Sequence, residues 1–119
     1  MLLKDYYTIE ESLPIEGGAL FQIRLNKECD VYRGHFPESP VSPGVCNIQM
    51  IKECASHIVG RSLTIRNLQQ CRLTTLITPK EHPTMEARVL IETNDETYKL
   101  RATLGIGEET FLEMKAELN

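Results

Sequence analysis

The chain has 119 residues, of which 41% are hydrophobic and 25% charged, and its formal net charge at pH 7 is −4. This length suits one domain, which we predict over residues 1–119. No apolar run approaches the roughly 20 residues that span a bilayer, and the N-terminus lacks the pattern of a secretory signal. The chain has no Trp and no basic stripe, which argues against nucleic acid as a partner. We therefore expect a cytoplasmic protein without membrane insertion.

The four cysteines, Cys29, Cys46, Cys54 and Cys71, form no Cys-x-x-Cys pair. We predict free thiols, because nothing in the sequence directs the chain to an oxidising compartment. Cys46 falls in the first turn of a predicted helix, where the dipole can lower a thiol pKa, but without a partner base we interpret it as a core residue. Cys54 and His57 have the spacing of two metal ligands, yet no third Cys or His stands at a matching interval, so we predict no metal site.

The first alternating segment predicts a half-buried strand. Phe21, Ile23 and Leu25 alternate with polar residues, and this period of two is typical of a strand with one face in the core.

A proline-rich loop follows at residues 34–45, with the sequence Gly-His-Phe-Pro-Glu-Ser-Pro-Val-Ser-Pro-Gly-Val. Proline at every third position fixes the backbone, so the loop is stiff and holds His35 in place. Gly44 permits close approach of the backbone, and the N–H groups of a helix start lie beside it. A titratable base next to such N–H groups predicts an active site.

Residues 44–59 predict the one long helix. At about 100° per residue, apolar side chains cover roughly half of its circumference. The predicted apolar face consists of Val45, Ile48, Ile51, Cys54, Ala55, Ile58 and Val59. Gln49 and Glu53 lie one turn apart on the opposite, polar face, and Gly60 predicts the C-terminal end.

Two further alternating segments, residues 87–92 and 99–104, predict more half-buried strands. Residues 94–95 predict a turn between them, and residues 105–109 predict the next turn. We therefore predict a meander of antiparallel hairpins packed around the helix.

The loop and helix start resemble the signature of the hotdog-fold 3-hydroxyacyl-[acyl-carrier-protein] dehydratases of fatty-acid synthesis. The family pattern is HFP-x-x-P-[VI]-x-PG-[VC], and the matching segments here are His35-Phe36-Pro37, Pro40-Val41 and Pro43-Gly44-Val45. The later strands also resemble the family. This resemblance implies an α+β hotdog fold, in which a curved antiparallel sheet wraps a long central helix. It also implies a dimer formed by joining two sheets edge to edge, with active sites at the dimer interface.

The resemblance assigns roles to several residues. His35 would be the base that removes the α-proton, and the N–H group of Gly44 would hold the thioester carbonyl. Phe36, Pro43 and Val45 would contact the substrate. The chemistry is consistent with these roles, because an α-proton beside a thioester becomes acidic only when donors meet the developing enolate oxygen.

Gln49 departs from the family pattern, which has Glu or Asp five positions after the glycine. A carboxamide cannot give a proton to the departing hydroxyl, although it can hold that hydroxyl or a water by hydrogen bonding, and a lost general acid typically lowers the rate by about 10² to 10⁴. We predict that Gln49 orients substrate or water; a purely structural amide remains an alternative. Glu53, one turn further, is a predicted substrate contact and a possible replacement acid.

Three arginines follow the helix, at positions 61, 66 and 72. They fit either a grip on the phosphate or acidic surface of a carrier, or a solvated strand face.

We thus predict reversible dehydration of a (3R)-hydroxyacyl thioester to the trans-2-enoyl thioester, without a metal or redox cofactor. The predicted partners are an acyl carrier protein or coenzyme A thioester and further copies of the chain, as a homodimer or larger assembly. Two alternatives follow from Gln49. One is an acyl-thioesterase whose water is held by Gln49 and Glu53, and the other is a non-catalytic acyl-binding or partner subunit.

Overall fold

The computed structural model describes residues 5–29 and 41–119. Within these ranges the chain forms six β-strands and one α-helix. In chain order they are β1 (Tyr7–Ile15), β2 (Gly18–Leu25), α1 (Gly44–Val59), β3 (Ile65–Leu73), β4 (Thr84–Asn94), β5 (Thr97–Ile106) and β6 (Glu109–Leu118). None of the described helical residues form a segment long and apolar enough to cross a membrane.

All neighbouring strands are antiparallel, and their order in the sheet is β1-β2-β4-β5-β6-β3. Three hairpins have tight turns in which one residue takes a positive φ: Gly17 at 82°, Asp95 at 55° and Gly107 at 61°. Asp95 and Gly107 lie in the two predicted turns, which the structure confirms. Such left-handed turn residues match the right-handed twist of the paired strands.

The predicted meander is correct for β4, β5 and β6 but wrong for the whole sheet. β2 pairs with β4, with Phe21 opposite Ala87, while β3 pairs with β6 at the far edge. The reason is the helix between β2 and β3, whose length allows the chain to reach the other side of the sheet before the next strand begins.

The buried faces of the strands agree with the predicted alternation. Phe21, Ile23 and Leu25 of β2 are buried, and Leu100, Ala102 and Leu104 of β5 are buried in the same core. Antiparallel sheets with one packed face show this pattern, because successive side chains point to opposite sides.

The helix bounds are confirmed, and so is its end. Gly60 takes a φ of 87°, and its N–H donates to the Ser56 carbonyl at 2.8 Å. Glycine suits this left-handed position because it has no Cβ.

The predicted apolar face of the helix is partly wrong. The buried residues of α1 are Cys46, Asn47, Met50, Ile51, Cys54 and Ala55. Val45 is 75% exposed, while Ile48, Ile58 and Val59 are only partly buried. The buried face is rotated towards Asn47 and Met50. Asn47 can lie in the core because its Oδ1 accepts a hydrogen bond from the Tyr6 hydroxyl.

Candidate functional site

The first two residues of α1, Gly44 and Val45, are exposed at the start of the helix. Pro43 is the N-cap, in extended geometry, and its carbonyl accepts from the N–H groups of Cys46 and Asn47 at 3.1 Å each. The N–H groups of Gly44 and Val45 come before Cys46 in the chain, so the helix itself offers them no carbonyl acceptor. No side chain caps this end among the described residues, and a Cβ placed on Gly44 would meet nothing within 4 Å. The positive end of the helix dipole therefore faces accessible space.

The predicted base, His35, and the predicted substrate contact Phe36 lie outside the described residues. Their roles stay predictions. Of the remaining predicted site residues, the structure places Pro43, Gly44 and Val45 together at the helix start.

Gln49 and Glu53 are directly connected on α1. The Gln49 amide Nε2 donates to the Glu53 carboxylate Oε2 at 2.9 Å, and both side chains are half-buried. An ionised carboxylate only accepts hydrogen bonds, so it requires the NH₂ end of the Gln49 amide to face it. The position that the family gives to an acid is thus an amide bonded to an acid one turn away.

Tyr7, at the start of β1, completes this network. Its hydroxyl donates to Oε1 of Glu53 at 2.8 Å, so each carboxylate oxygen accepts one of these two bonds. Burial, followed by the hydrogen bond to Glu53, raises the pKa of the Tyr7 hydroxyl far above its usual range, and the phenol remains a donor. Sequence reasoning missed Tyr7, because the 46 positions that separate it from Glu53 leave no local pattern.

Two surface depressions are lined by members of this network. A depression of about 530 Å³ is bounded by Glu53 together with Lys52, His57 and Arg61. A second, of about 670 Å³, is bounded by Tyr7 and by residues of the β2 end and of the segment before β4. Tyr7 and Glu53 therefore each border a surface depression.

The three arginines that follow the helix do not converge. The Arg61 guanidinium lies 5.6 Å from the ring centre of Tyr98 and borders the Glu53 depression. Arg66 pairs with Glu117 at 3.7 Å, and Arg72 is exposed on β3. Of the three, only Arg61 borders the Glu53 depression. The three side chains therefore do not surround a single phosphate site.

The cysteines are free, as predicted. Cys29, Cys46 and Cys54 are buried and Cys71 is exposed. Burial raises the pKa of the Cys46 thiol, the opposite of what an activated nucleophile needs. Among the described residues, no three His, Cys, Asp or Glu side chains are grouped to hold a metal ion.

One family model matches most of the chain. The model of the ApeI-like family, described as ApeI dehydratase, matches residues 12–110. The ApeI:P dehydratase heterocomplex from Xenorhabdus doucetiae contains a similar structure, with a TM-score of 0.73 and 20% identity, covering 93% of this chain and 96% of that one.

A second similar structure is that of an uncharacterized protein from Erwinia carotovora subsp. atroseptica. Its TM-score is 0.65 at 14% identity, with 94% of this chain and 92% of that chain covered. No functionally curated protein shows significant sequence similarity to the chain. The helix and six-stranded antiparallel sheet thus match a hotdog-like dehydratase fold.

Proposed function

Since the chain belongs to the ApeI-like dehydratase family, we propose that it dehydrates a (3R)-hydroxyacyl thioester to the trans-2-enoyl thioester. The observation that carries this proposal is the open start of α1 at Gly44, directly after the proline-rich loop with His35. A helix start supplies N–H donors where an enolate oxygen develops, and such preorganised donors stabilise the transition state.

In the proposed reaction, His35 removes a proton from C2 while the Gly44 N–H holds the thioester oxygen. The C3–O bond then breaks, and the departing hydroxide takes a proton to become water. The carboxamide of Gln49 cannot supply that proton. We therefore assign its return to the imidazolium of His35, with Gln49 holding the hydroxyl in line, so that no metal or redox cofactor takes part.

The test is hydration of a trans-2-enoyl N-acetylcysteamine thioester, followed by loss of enoyl absorbance. We expect turnover by the wild type and a loss of about 10² or more for His35→Ala. His82→Asn is the matched control: the Asn side-chain oxygen can replace Nδ1 as acceptor of the Thr78 N–H, a 3.2 Å contact, and activity should remain. Equal rates for His35→Ala and the wild type would remove His35 from the mechanism.

Free-thiol release in the same assay separates dehydration from thioester hydrolysis. A dehydratase consumes the enoyl signal without releasing thiol, whereas a thioesterase releases it. Comparison of the carrier-protein thioester and the coenzyme A thioester of one acyl chain as substrates identifies the acyl carrier. We propose that the carrier-protein form is the substrate, in fatty-acid or related synthesis.

We also propose that a second subunit joins at β3, an edge strand. Leu68, Cys71 and Leu73 of β3 lie opposite Ala116, Met114 and Leu112 of β6, so they share the face that forms the core. Yet Leu68 is 41% and Leu73 46% exposed, whereas the β6 residues are buried. An unpaired edge with an apolar face is a site for strand pairing with another chain.

A second copy of this chain is the occupant that we favour, giving a homodimer or larger assembly. The ApeI:P heterocomplex supports the alternative, in which this chain is a subunit that works together with a different protein. Sedimentation of the purified chain distinguishes them: a dimer supports the first, and a monomer that is inert alone supports the second. In that case, activity gained by Gln49→Glu would indicate a dehydratase scaffold that has lost its acid.

A further inference from the structure

Three side chains from two distant segments form one hydrogen-bonded row: Tyr7 on β1, then Glu53 and Gln49 on α1. The Tyr7 hydroxyl donates to Glu53 Oε1 at 2.8 Å, and Gln49 Nε2 donates to Glu53 Oε2 at 2.9 Å. The direction of both bonds is fixed by chemistry, because the ionised carboxylate in the middle has only lone pairs to offer.

This direction determines how the Gln49 amide is presented. With Nε2 turned towards Glu53, the amide oxygen Oε1 points away from the carboxylate. A rotation of the amide by half a turn would bring two acceptors together and lose the bond. The row therefore selects one of the two orientations in which Gln49 could meet a ligand.

Glu53 is less suited to act on the substrate itself. Both of its oxygens accept bonds within the row. It also lies four residues, about 6 Å along the axis, beyond Gln49, and nine residues, about 13.5 Å, beyond Gly44 at the helix start. Tyr7 anchors Glu53 from a separate element, so the carboxylate is held by the sheet as well as by its own helix.

We infer that Tyr7 and Glu53 are positioning residues that set the amide of Gln49 so that its oxygen accepts a hydrogen bond from the 3-hydroxyl of the substrate. This inference rests on the proposed function and adds to it the source of substrate orientation in a site without the usual acid. It assigns roles to Tyr7 on β1 and to Glu53 in the third turn of α1 without making either a general acid.

The kinetic test compares Glu53→Ala and Tyr7→Phe with the wild type in the enoyl-thioester hydration assay. Glu53→Ala removes the acceptor of the Gln49 amide and should lower kcat by roughly tenfold to a hundredfold, with KM changed by less than about threefold, because misplacement of an orienting group acts on the reacting geometry. Tyr7→Phe should lower kcat less, since Glu53 keeps its bond to Gln49. The matched controls are Glu92→Gln, at an exposed position of β4, and Tyr98→Phe. Both should retain the wild-type kcat and KM.

Rescue separates positioning from a general loss of structure. The conservative variant Glu53→Gln keeps the row, because its amide oxygen can accept from Gln49 Nε2 while its NH₂ group donates to the Tyr7 hydroxyl oxygen. We expect it to recover kcat relative to Glu53→Ala. Unchanged kcat in Glu53→Ala, while the wild type is active and His35→Ala is not, would overturn this inference and leave the proposed function standing.

A readout without turnover keeps the inference testable if the chain proves inactive. The side-chain amide NMR signal of Gln49, assigned by its loss in Gln49→Glu, should shift in both Glu53→Ala and Tyr7→Phe. It should also shift when a non-reactive 3-hydroxyacyl pantetheine amide is added to the wild type. A signal indifferent to both substitutions, or to the added hydroxyacyl amide, would overturn the inference.

Discussion

The hydroxyl of Tyr6 donates a 2.7 Å hydrogen bond to Oδ1 of Asn47 inside the core, where both residues are 1% exposed. Its neighbour Tyr7 bonds Glu53 on the same helix. Two consecutive tyrosines thus connect the N-terminal edge of the sheet to two levels of the helix that carries the candidate site.

Tyr6→Phe should lower the free energy of unfolding by about 1–3 kcal/mol, because it leaves the buried Asn47 oxygen without this donor. Urea denaturation followed by circular dichroism measures the change. Tyr98→Phe is the control, since Tyr98 is only partly buried and keeps its ring against Arg61. Equal losses in the two variants would contradict the role given to the Tyr6 hydroxyl.

Ile51→Ala should cost about 2–5 kcal/mol of stability, because Ile51 is fully buried and its removal leaves a cavity. Val45→Ala on the same helix should change stability by no more than about 0.5 kcal/mol, since Val45 is 75% exposed. Thermal unfolding of both variants tests the observed rotation of the helix. Comparable losses would instead support the face predicted from sequence.

Gly44→Ala should separate stability from activity. A Cβ at this position meets nothing within 4 Å, so the melting temperature should stay the same or rise slightly. If the thioester binds against the Gly44 N–H, the added methyl group obstructs it, and kcat/KM should fall roughly tenfold. Full activity in a stable Gly44→Ala variant would argue against substrate contact at the helix start.

Cys54 predicts how stability changes at alkaline pH. Burial, with a smaller contribution from the charge of Glu53, raises the pKa of its thiol from 9.0 to about 12. The folded state then retains a proton that the unfolded chain releases, so this contribution is fully present below pH 9 and is lost as pH rises towards 12. The slope approaches about 1.4 kcal/mol per pH unit for one proton.

Denaturation of the wild type and Cys54→Ala at several pH values between 8 and 11 measures that difference in slope. The stability of the variant should fall less steeply with pH than that of the wild type. Parallel pH dependences in the two proteins would show that the Cys54 thiol does not titrate differently on folding.

Local sequence patterns determined much of this protein. Hydrophobic period identified the strands around Phe21 and Leu100, and the apolar run closed by Gly60 identified α1 with its bounds, because these signals depend on neighbours in the chain. The proline-rich motif indicated a dehydratase family, and the comparison with the ApeI-like family confirms that class.

The tertiary structure alone decided the features that depend on distant contacts. The position of β3 beside β6 follows from strand pairing, which no local pattern encodes. The buried Asn47 side chain bonds Tyr6, 41 positions away, and the Gln49 amide is connected to Tyr7 through Glu53. Sequence period shows which side chains share a face, but the partners that satisfy a buried polar group come from the packing of separate elements.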